Sequence, residues 1–343
     1  MREKLNVLMC ASECRGIVKV GGLGDVVLDL STELKKNEKY GINVKIILPY
    51  YDVVKVTGES VGEFQVEFGK INYKFSLYKT TINGVEIYLI KNGVFFAGEK
   101  ESIYIDSDKY KRGPFEDDAK RFAFFSVCVC ELLLVYDEFR DINILHNHDW
   151  HTGTIFLLLQ LSHRYQTISN KFKKIFTIHN LEYQGIRPFY DTQYSDLSSF
   201  ESWFPDLYKV LIKSKVYSKV ISPKIFYPCY NPMRAGINLS DLVNTVSLTY
   251  ASEILKKDNI KNSFFGGRGL ERDLINLNKN GKLFGIINGI DYKLHDPNRL
   301  EPPFDSDNPQ SLQNKTTHKR EFITNLSSYI KRIHEEEGDR FIN

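Results

Sequence analysis

The sequence predicts an α/β protein built on an open, doubly wound, mostly parallel sheet with an antiparallel β insertion. Three observations carry this prediction. Strand-length apolar runs alternate with stretches of helical periodicity. The alternation is broken once, between Glu63 and Lys91, by short runs rich in Phe, Tyr, Val and Ile. Several apolar runs end in polar or glycine-rich turns, which is where open α/β sheets bind ligands.

The elements follow in order. Leu5–Ala11 is an apolar run of strand length, succeeded by a glycine-containing turn. Leu23, Val26, Val27, Leu30 and Leu34 then fall at helical spacing, and Ile42–Leu48 is a second strand closed by Pro49. A strand–helix–strand crossover of this kind builds a parallel sheet. Glu63–Gly69, Ile71–Tyr78 and Val85–Lys91 read as antiparallel strands, the last two joined at Asn83-Gly84, a strong hairpin signal. Phe115–Tyr136 returns to helix, with Phe122, Phe125, Val129, Leu132, Leu133 and Tyr136 as a core-facing stripe. Ile142–Leu145 and Ile175–Ile178 are short strands, each running into a histidine-containing motif. Leu242–Val246 and Leu283–Ile287 are two more, Asp291–Gln313 reads as a loop or linker, and Thr316–Ile333 as a final helix.

Composition narrows the function classes. The chain of 343 residues with 42% hydrophobic content can bury a sizeable core. Lys and Arg total 46 against 43 Asp and Glu, so there is no electrostatic basis for nucleic acid or an anionic membrane as partner. The five cysteines are odd in number and lack a Cys-x-x-Cys pair, which favours free thiols in a reducing compartment. The N-terminus passes directly into a strand without a signal-peptide core, and no run approaches the ~18 apolar residues of a membrane span. A cytoplasmic location is expected.

Three motifs carry chemistry. In Val18–Asp25 (VKVGGLGD), glycines between strand and helix allow close backbone approach, the helix start offers free N–H groups, and Lys19 adds positive charge suited to phosphate. It is neither a phosphate loop nor a full dinucleotide fingerprint, since Val27 stands where glycine or alanine is wanted; a hydride-transfer enzyme is disfavoured accordingly. An ordinary glycine turn, with Asp25 stabilising the helix start, is the competing reading. His146–Gly153 (HNHDWHTG) lacks the i, i+4 histidine pair of a zinc protease and has no nearby cysteine, so metal is disfavoured. It reads instead as a strand-end loop in which Asp149 accepts hydrogen bonds from substrate hydroxyls or a neighbouring base, with Trp150 packed in the core and His151 beginning a helix. Thr177–Gly185 (TIHNLEYQG) places His179 and Asn180 at another strand end. His, Asn and Asp together suit a ligand rich in hydroxyls, such as a sugar.

These motifs resemble the bacterial glycogen synthase and plant starch synthase family. The resemblance rests on Lys19–Asp25, His146–Gly153 and His179–Gly185, and on further matches in the family's order: Asn231–Ile237, Thr245–Ser247 with Tyr250–Ile254, Gly269–Glu271 and Gly285–Asp291. It implies one Rossmann-like half of a two-domain B-type glycosyltransferase fold. Residues 1–313 would form the N-terminal, acceptor-side catalytic domain, and residues 314–343 a helix leading toward a C-terminal nucleotide-binding domain. The family transfers glucose from ADP-glucose to the non-reducing end of an α-1,4-glucan with retention. By resemblance Lys19, Gly21 and Gly22 approach the donor diphosphate, while Asp25, Tyr104, Asp149, His179, Asn180 and Asn288 line the sugar and acceptor side. Asp149 and His179 are the expected catalytic pair, His179 nearest the reacting carbon. No metal and no cofactor are implied; the partners are ADP-glucose, glycogen or a maltooligosaccharide, and a separate C-terminal synthase domain.

The chain departs from the family pattern at Arg234, where lysine is usual, and at Leu248, where proline is usual; the first is expected to change donor geometry. The family's second domain, which carries further arginine, lysine and glutamate at the donor, lies outside this sequence. A fragment, a split subunit and a truncated product are all compatible with that, and little transferase activity is expected of the chain alone. The alternative is a non-catalytic glucan-binding or interaction module.

Overall fold

The computed structural model describes residues 4–37, 39–96, 103–104, 116–191, 199–223, 228–291 and 309–337. The chain divides into two compact units, Met1–Gly289 and Ile290–Asn343. The first unit holds a sheet of nine strands: β1 (Leu5–Cys10), β2 (Ile42–Pro49), β3 (Glu59–Phe68), β4 (Ile71–Ile82), β5 (Val85–Lys91), β6 (Ile144–His148), β7 (Lys173–Ile178), β10 (Leu242–Thr245) and β11 (Leu283–Gly285). Two-residue strands β8 (Arg187–Pro188) and β9 (Cys229–Tyr230) pair separately. The sheet order is β11-β10-β7-β6-β1-β2-β5-β4-β3. Every pair from β11 to β5 is parallel, and β5-β4-β3 is antiparallel. The predicted mostly parallel, doubly wound sheet is therefore present. β5 belongs to both parts, parallel to β2 and antiparallel to β4, so the insertion is an extension of the main sheet.

The chain grows from β1 outward to β2 and β5, then returns to lay β6 on the other side of β1. That reversal opens a crevice at the carboxyl ends of β1 and β6, where such sheets bind ligands. Both hairpin turns, Gly69-Lys70 and Asn83-Gly84, have two consecutive residues at positive φ, the mirror-image turn that matches strand twist.

Side chains alternate across the sheet. Leu8, Cys10 and Ile47 enter one buried cluster, while Val7, Met9, Val44, Ile46 and Leu48 enter the other. Helix α1 (Gly22–Lys36) covers the second face through Leu23, Val27 and Leu28. Helices α2 (Glu116–Val135) and α3 (Trp150–Leu161) supply residues to the first cluster. The stripe expected on α2 proves too narrow: every residue from Arg121 to Leu133 is buried. A helix enclosed on all sides needs no polar face.

Helices α4 (Phe200–Trp203), α5 (Pro205–Leu211) and α6 (Tyr217–Val220) were not foreshadowed by periodicity. Helices α7 (Pro232–Leu239), α8 (Leu248–Glu253) and α9 (Glu271–Lys279) complete the first unit. The second unit contains helix α10 (Pro309–Glu337), longer at both ends than Thr316–Ile333 and beginning inside the expected linker; residues 292–308 of that linker lie outside the described residues. All five cysteines are free and buried. Among the described residues no helix is long and apolar enough to cross a membrane.

Candidate active site

The β1–α1 crossover forms one wall. Glu13, buried just past β1, accepts hydrogen bonds from the Val20 and Gly21 amides at Oε2 (2.6 and 2.9 Å) and from the Tyr104 hydroxyl at Oε1 (2.8 Å). The Tyr104 hydroxyl also lies 3.0 Å from Ser12 Oγ, and its ring stacks on His151 at 5.5 Å. Glu13 thus closes the glycine loop from within, and the Gly21 amide expected at the diphosphate is already engaged. Gly21 is the N-cap of α1, and no side chain caps that helix. The half-exposed Lys19 pairs with Asp25 at 2.6 Å, and Arg15 Nε lies 3.9 Å from the same carboxylate.

The glycines of this loop separate into two kinds. A Cβ on Gly24 would come within 3.3 Å of Lys19 Cγ and 3.4 Å of the Arg15 amide. A Cβ on Gly21 or Gly22 would meet nothing within 4 Å, and neither residue has positive φ. Nothing in the described chain requires glycine at those two positions. A ligand approaching the backbone closely would.

The carboxyl ends of β6 and β7 form the other wall. β6 continues through His146, Asn147 and His148, so these are strand residues and only Asp149 is a turn residue before α3 starts at Trp150. Pairing with β1 on one side and β7 on the other holds this stretch extended, overriding its polar composition. His146 Nε2 lies 2.6 Å from Thr177 Oγ1, whose hydroxyl donates to Asn244 Oδ1 at 2.8 Å. His148 Nδ1 lies 3.0 Å from His179 Nε2. Burial pushes His146 down to about 4 and both His151 and His179 to about 3, and holds His148 well below the ordinary imidazole value, so all four are neutral at pH 7.

Asp149 has φ +56°, uncommon for a residue with a side chain. Its amide donates to the Thr177 carbonyl at 3.0 Å, and its Oδ1 accepts from the amides of His179 (2.8 Å) and Asn180 (3.5 Å). Burial raises its pKa to about 7, only partly offset by these amides. The expected partners were substrate hydroxyls or a base; the structure gives Asp149 Oδ1 the task of holding the His179–Asn180 turn. Asn180 is exposed, with Oδ1 accepting from the Glu182 amide at 2.7 Å. His151, stacked on Trp150 and met edge-on by Phe122, packs as a neutral ring, and Trp150 is core, as expected.

Glu13, Tyr104 and His151 connect the two walls, and Asp149 joins β6 to the turn after β7. Asn288 is exposed beyond β11, and among the described residues no hydrogen bond links it to the others. Among the described residues no group of three or more His, Cys, Asp or Glu could hold a metal ion. Arg234, expected to bear on donor geometry, forms a two-point pair with Asp273 (2.6 and 3.2 Å) that ties α7 to α9. Leu248 is the first residue of α8, a position that accepts proline and leucine alike. Glu13, Thr177 and Asn244 escaped sequence reasoning because the side chains they meet lie 31 to 91 residues away; the one local signal was a carboxylate between strand and glycine loop, seven and eight residues before the amides it accepts from.

A family model described as the starch synthase catalytic domain matches residues 6–276. The glycogen synthase of Clostridioides difficile (strain 630) is 34% identical over 325 residues, covering 92% of this chain and 59% of that protein. The glycogen synthase of Bacillus anthracis is 33% identical over 325 residues, with the same coverage of 92% and 59%. Among solved structures, the catalytic domain of starch synthase IV from Arabidopsis thaliana bound to ADP and acarbose superposes with a TM-score of 0.68 at 27% identity, covering 93% of this chain and 59% of that one. The chain spans about three-fifths of the length of these relatives.

Proposed function

The chain belongs to the starch synthase catalytic domain family, and from that premise we propose that it forms the acceptor-side half of a glucosyltransferase. The donor is ADP-glucose and the acceptor the non-reducing end of an α-1,4-glucan. The bond between the anomeric carbon and the diphosphate oxygen breaks, the acceptor hydroxyl oxygen takes its place with retention, and the acceptor proton is released. Residues 1–313 constitute this half, and residues 314–343 lead to a C-terminal domain on a separate polypeptide or a longer chain.

The observation that carries the reading is the pair of walls at the β1/β6 reversal. One offers an α1 start without a side-chain cap, two glycines with open space above them, and Lys19. Positive charge and aligned amides stabilise a departing diphosphate without a metal. The other offers neutral imidazoles and Asn180, groups that hydrogen-bond hydroxyls without placing charge beside a cationic sugar carbon. The starch synthase IV structure, bound to ADP and acarbose, supports a nucleotide and a glucan as the ligands.

The test is ADP release from ADP-glucose and glycogen, with and without the C-terminal domain of a glycogen synthase relative. Turnover is expected only in the mixture, and Lys19→Ala should lower it by roughly tenfold to a hundredfold, the range of one lost charged contact. Robust turnover by the chain alone would refute its incompleteness. Glucan binding with no turnover in any mixture, indifferent to Lys19→Ala, would assign it instead as a glucan-binding module.

A further inference from the structure

We propose that His148 is a positioning residue that fixes His179 in the tautomer carrying its proton on Nδ1, so that this ring meets a ligand as a hydrogen-bond donor. The inference rests on the reading of His179 as a substrate-facing group, and it follows from counting protons along the strand ends.

The count begins at Asn244. Its Oδ1 can only accept, so the single hydroxyl proton of Thr177 goes to it. Thr177 Oγ1 must then accept from His146, which places the His146 proton on Nε2. His148 is packed against His146 with ring centroids 4.4 Å apart and planes at 24°, and it is fully buried. Its Nδ1 faces His179 Nε2 at 3.0 Å, while its Nε2 is buried and has no hydrogen-bond partner among the described residues.

One proton must lie between the two facing nitrogens. If His179 donated it, His148 would keep its own proton on Nε2, leaving a buried N–H with no acceptor. If His148 donates it, the orphan atom is only a lone pair. Buried donors left unpaired are the rarer of the two in folded proteins. The second arrangement therefore holds: His148 Nδ1–H donates and His179 Nε2 accepts. A neutral His179 then carries its remaining proton on Nδ1. His179 is less enclosed than His148, and its own amide is held by Asp149, so the ring is fixed from two directions. A donor there suits an oxygen that gains negative charge as a glycosyl bond breaks; a bare nitrogen would repel it.

The experiment is two-bond imidazole 15N NMR on the chain, comparing native protein with His148→Asn and His148→Leu. The asparagine carboxamide can still donate near the position of Nδ1; leucine cannot. The expected result is His179 protonated at Nδ1 in the native chain and in His148→Asn, shifting to Nε2 protonation in His148→Leu. Affinity for ADP-glucose or maltoheptaose should fall about tenfold in His148→Leu and recover in His148→Asn. Finding Nε2 protonated in the native chain overturns the proposal, as does an unchanged His179 tautomer in His148→Leu. If His148→Leu does not fold, the native and His148→Asn spectra decide alone. If neither ligand binds any form, the proposed function fails while the tautomer result stands on its own.

Discussion

The β1–α1 and β6–α3 crossovers are built alike, a strand leading through a short turn into a helix, yet they use their polar residues and glycines in opposite ways. At β6–α3 the polar groups are buried and the histidines neutral, and a Cβ on Gly153 would lie 1.9 Å from the Pro232 carbonyl oxygen. Its glycine is accounted for by the packing of α3 on α7, while its strand-end hydrogen bonds leave Asn147 Oδ1, His148 Nε2 and His151 Nδ1 buried with no partner among the described residues. At β1–α1, Lys19 and Asp25 are partly exposed, and Gly21 and Gly22 border open space. Those two glycines are unexplained by the described chain, and for that reason they indicate a ligand.

The comparison can be broken first at Gly153. Gly153→Ala should lose about 3 kcal/mol or more of unfolding free energy in denaturant melts, because backbone lies where the methyl would go. A loss under about 1 kcal/mol would show that α3 and α7 are not packed as described.

The next effect is at Glu13. Removing its carboxylate strands the Val20 and Gly21 amides and the Tyr104 hydroxyl, so Glu13→Ala should cost about 2–3 kcal/mol. Glu13→Gln keeps one acceptor oxygen and should recover part of that. Equal losses in the two variants would mean that charge, rather than hydrogen bonding, holds the loop.

The pH dependence sharpens the contrast between a neutral wall and a charged one. Folded His146, His151 and His179 are held down at about 4, 3 and 3, against 6.5 for an ordinary imidazole. The unfolded chain binds more protons in that interval, so their contribution is present above pH 6.5 and is lost as pH falls through it. Asp149 has the opposite sign: raised from 3.8 to about 7, its contribution is present below pH 3.8 and lost as pH rises through 7. Four depressed imidazoles outweigh one raised carboxyl, so the thermal midpoint should fall as pH is lowered from 6.5 toward 4. Asp149→Asn should gain on the native chain as pH rises from 3.8 to 7, since asparagine still accepts from the turn amides and tolerates the backbone angle. A midpoint that rises on acidification would contradict the burial of the histidines.

The smallest stability effect belongs to Gly21. Gly21→Ala should leave unfolding free energy within about 0.5 kcal/mol of native, because its backbone is extended and its Cβ direction is empty. It should nevertheless weaken ADP-glucose binding. A clear loss of stability would remove the argument that this glycine serves a ligand.

Local periodicity and turn chemistry, which act over a few residues, were sufficient to determine the parallel strand–helix alternation, the Asn83-Gly84 hairpin and the placement of the glycine and histidine motifs at strand ends. The same local logic failed where long-range pairing outbid it. It stopped β6 at Leu145, although pairing with β1 to Asn147 and with β7 to His148 holds the strand extended. It gave α2 a single apolar stripe, although the helix is enclosed all round. It left Asp149 to accept from substrate hydroxyls or a neighbouring base, and its Oδ1 accepts from the His179 and Asn180 amides; Arg234, expected to bear on donor geometry, pairs with Asp273. Only the tertiary structure decided those roles, together with the closure of the glycine loop by Glu13 and the His148–His179 contact. Each depends on a hydrogen-bonding partner that the tertiary fold brings near, sometimes from more than thirty residues away, and no pattern in the neighbouring sequence specifies which partner that will be.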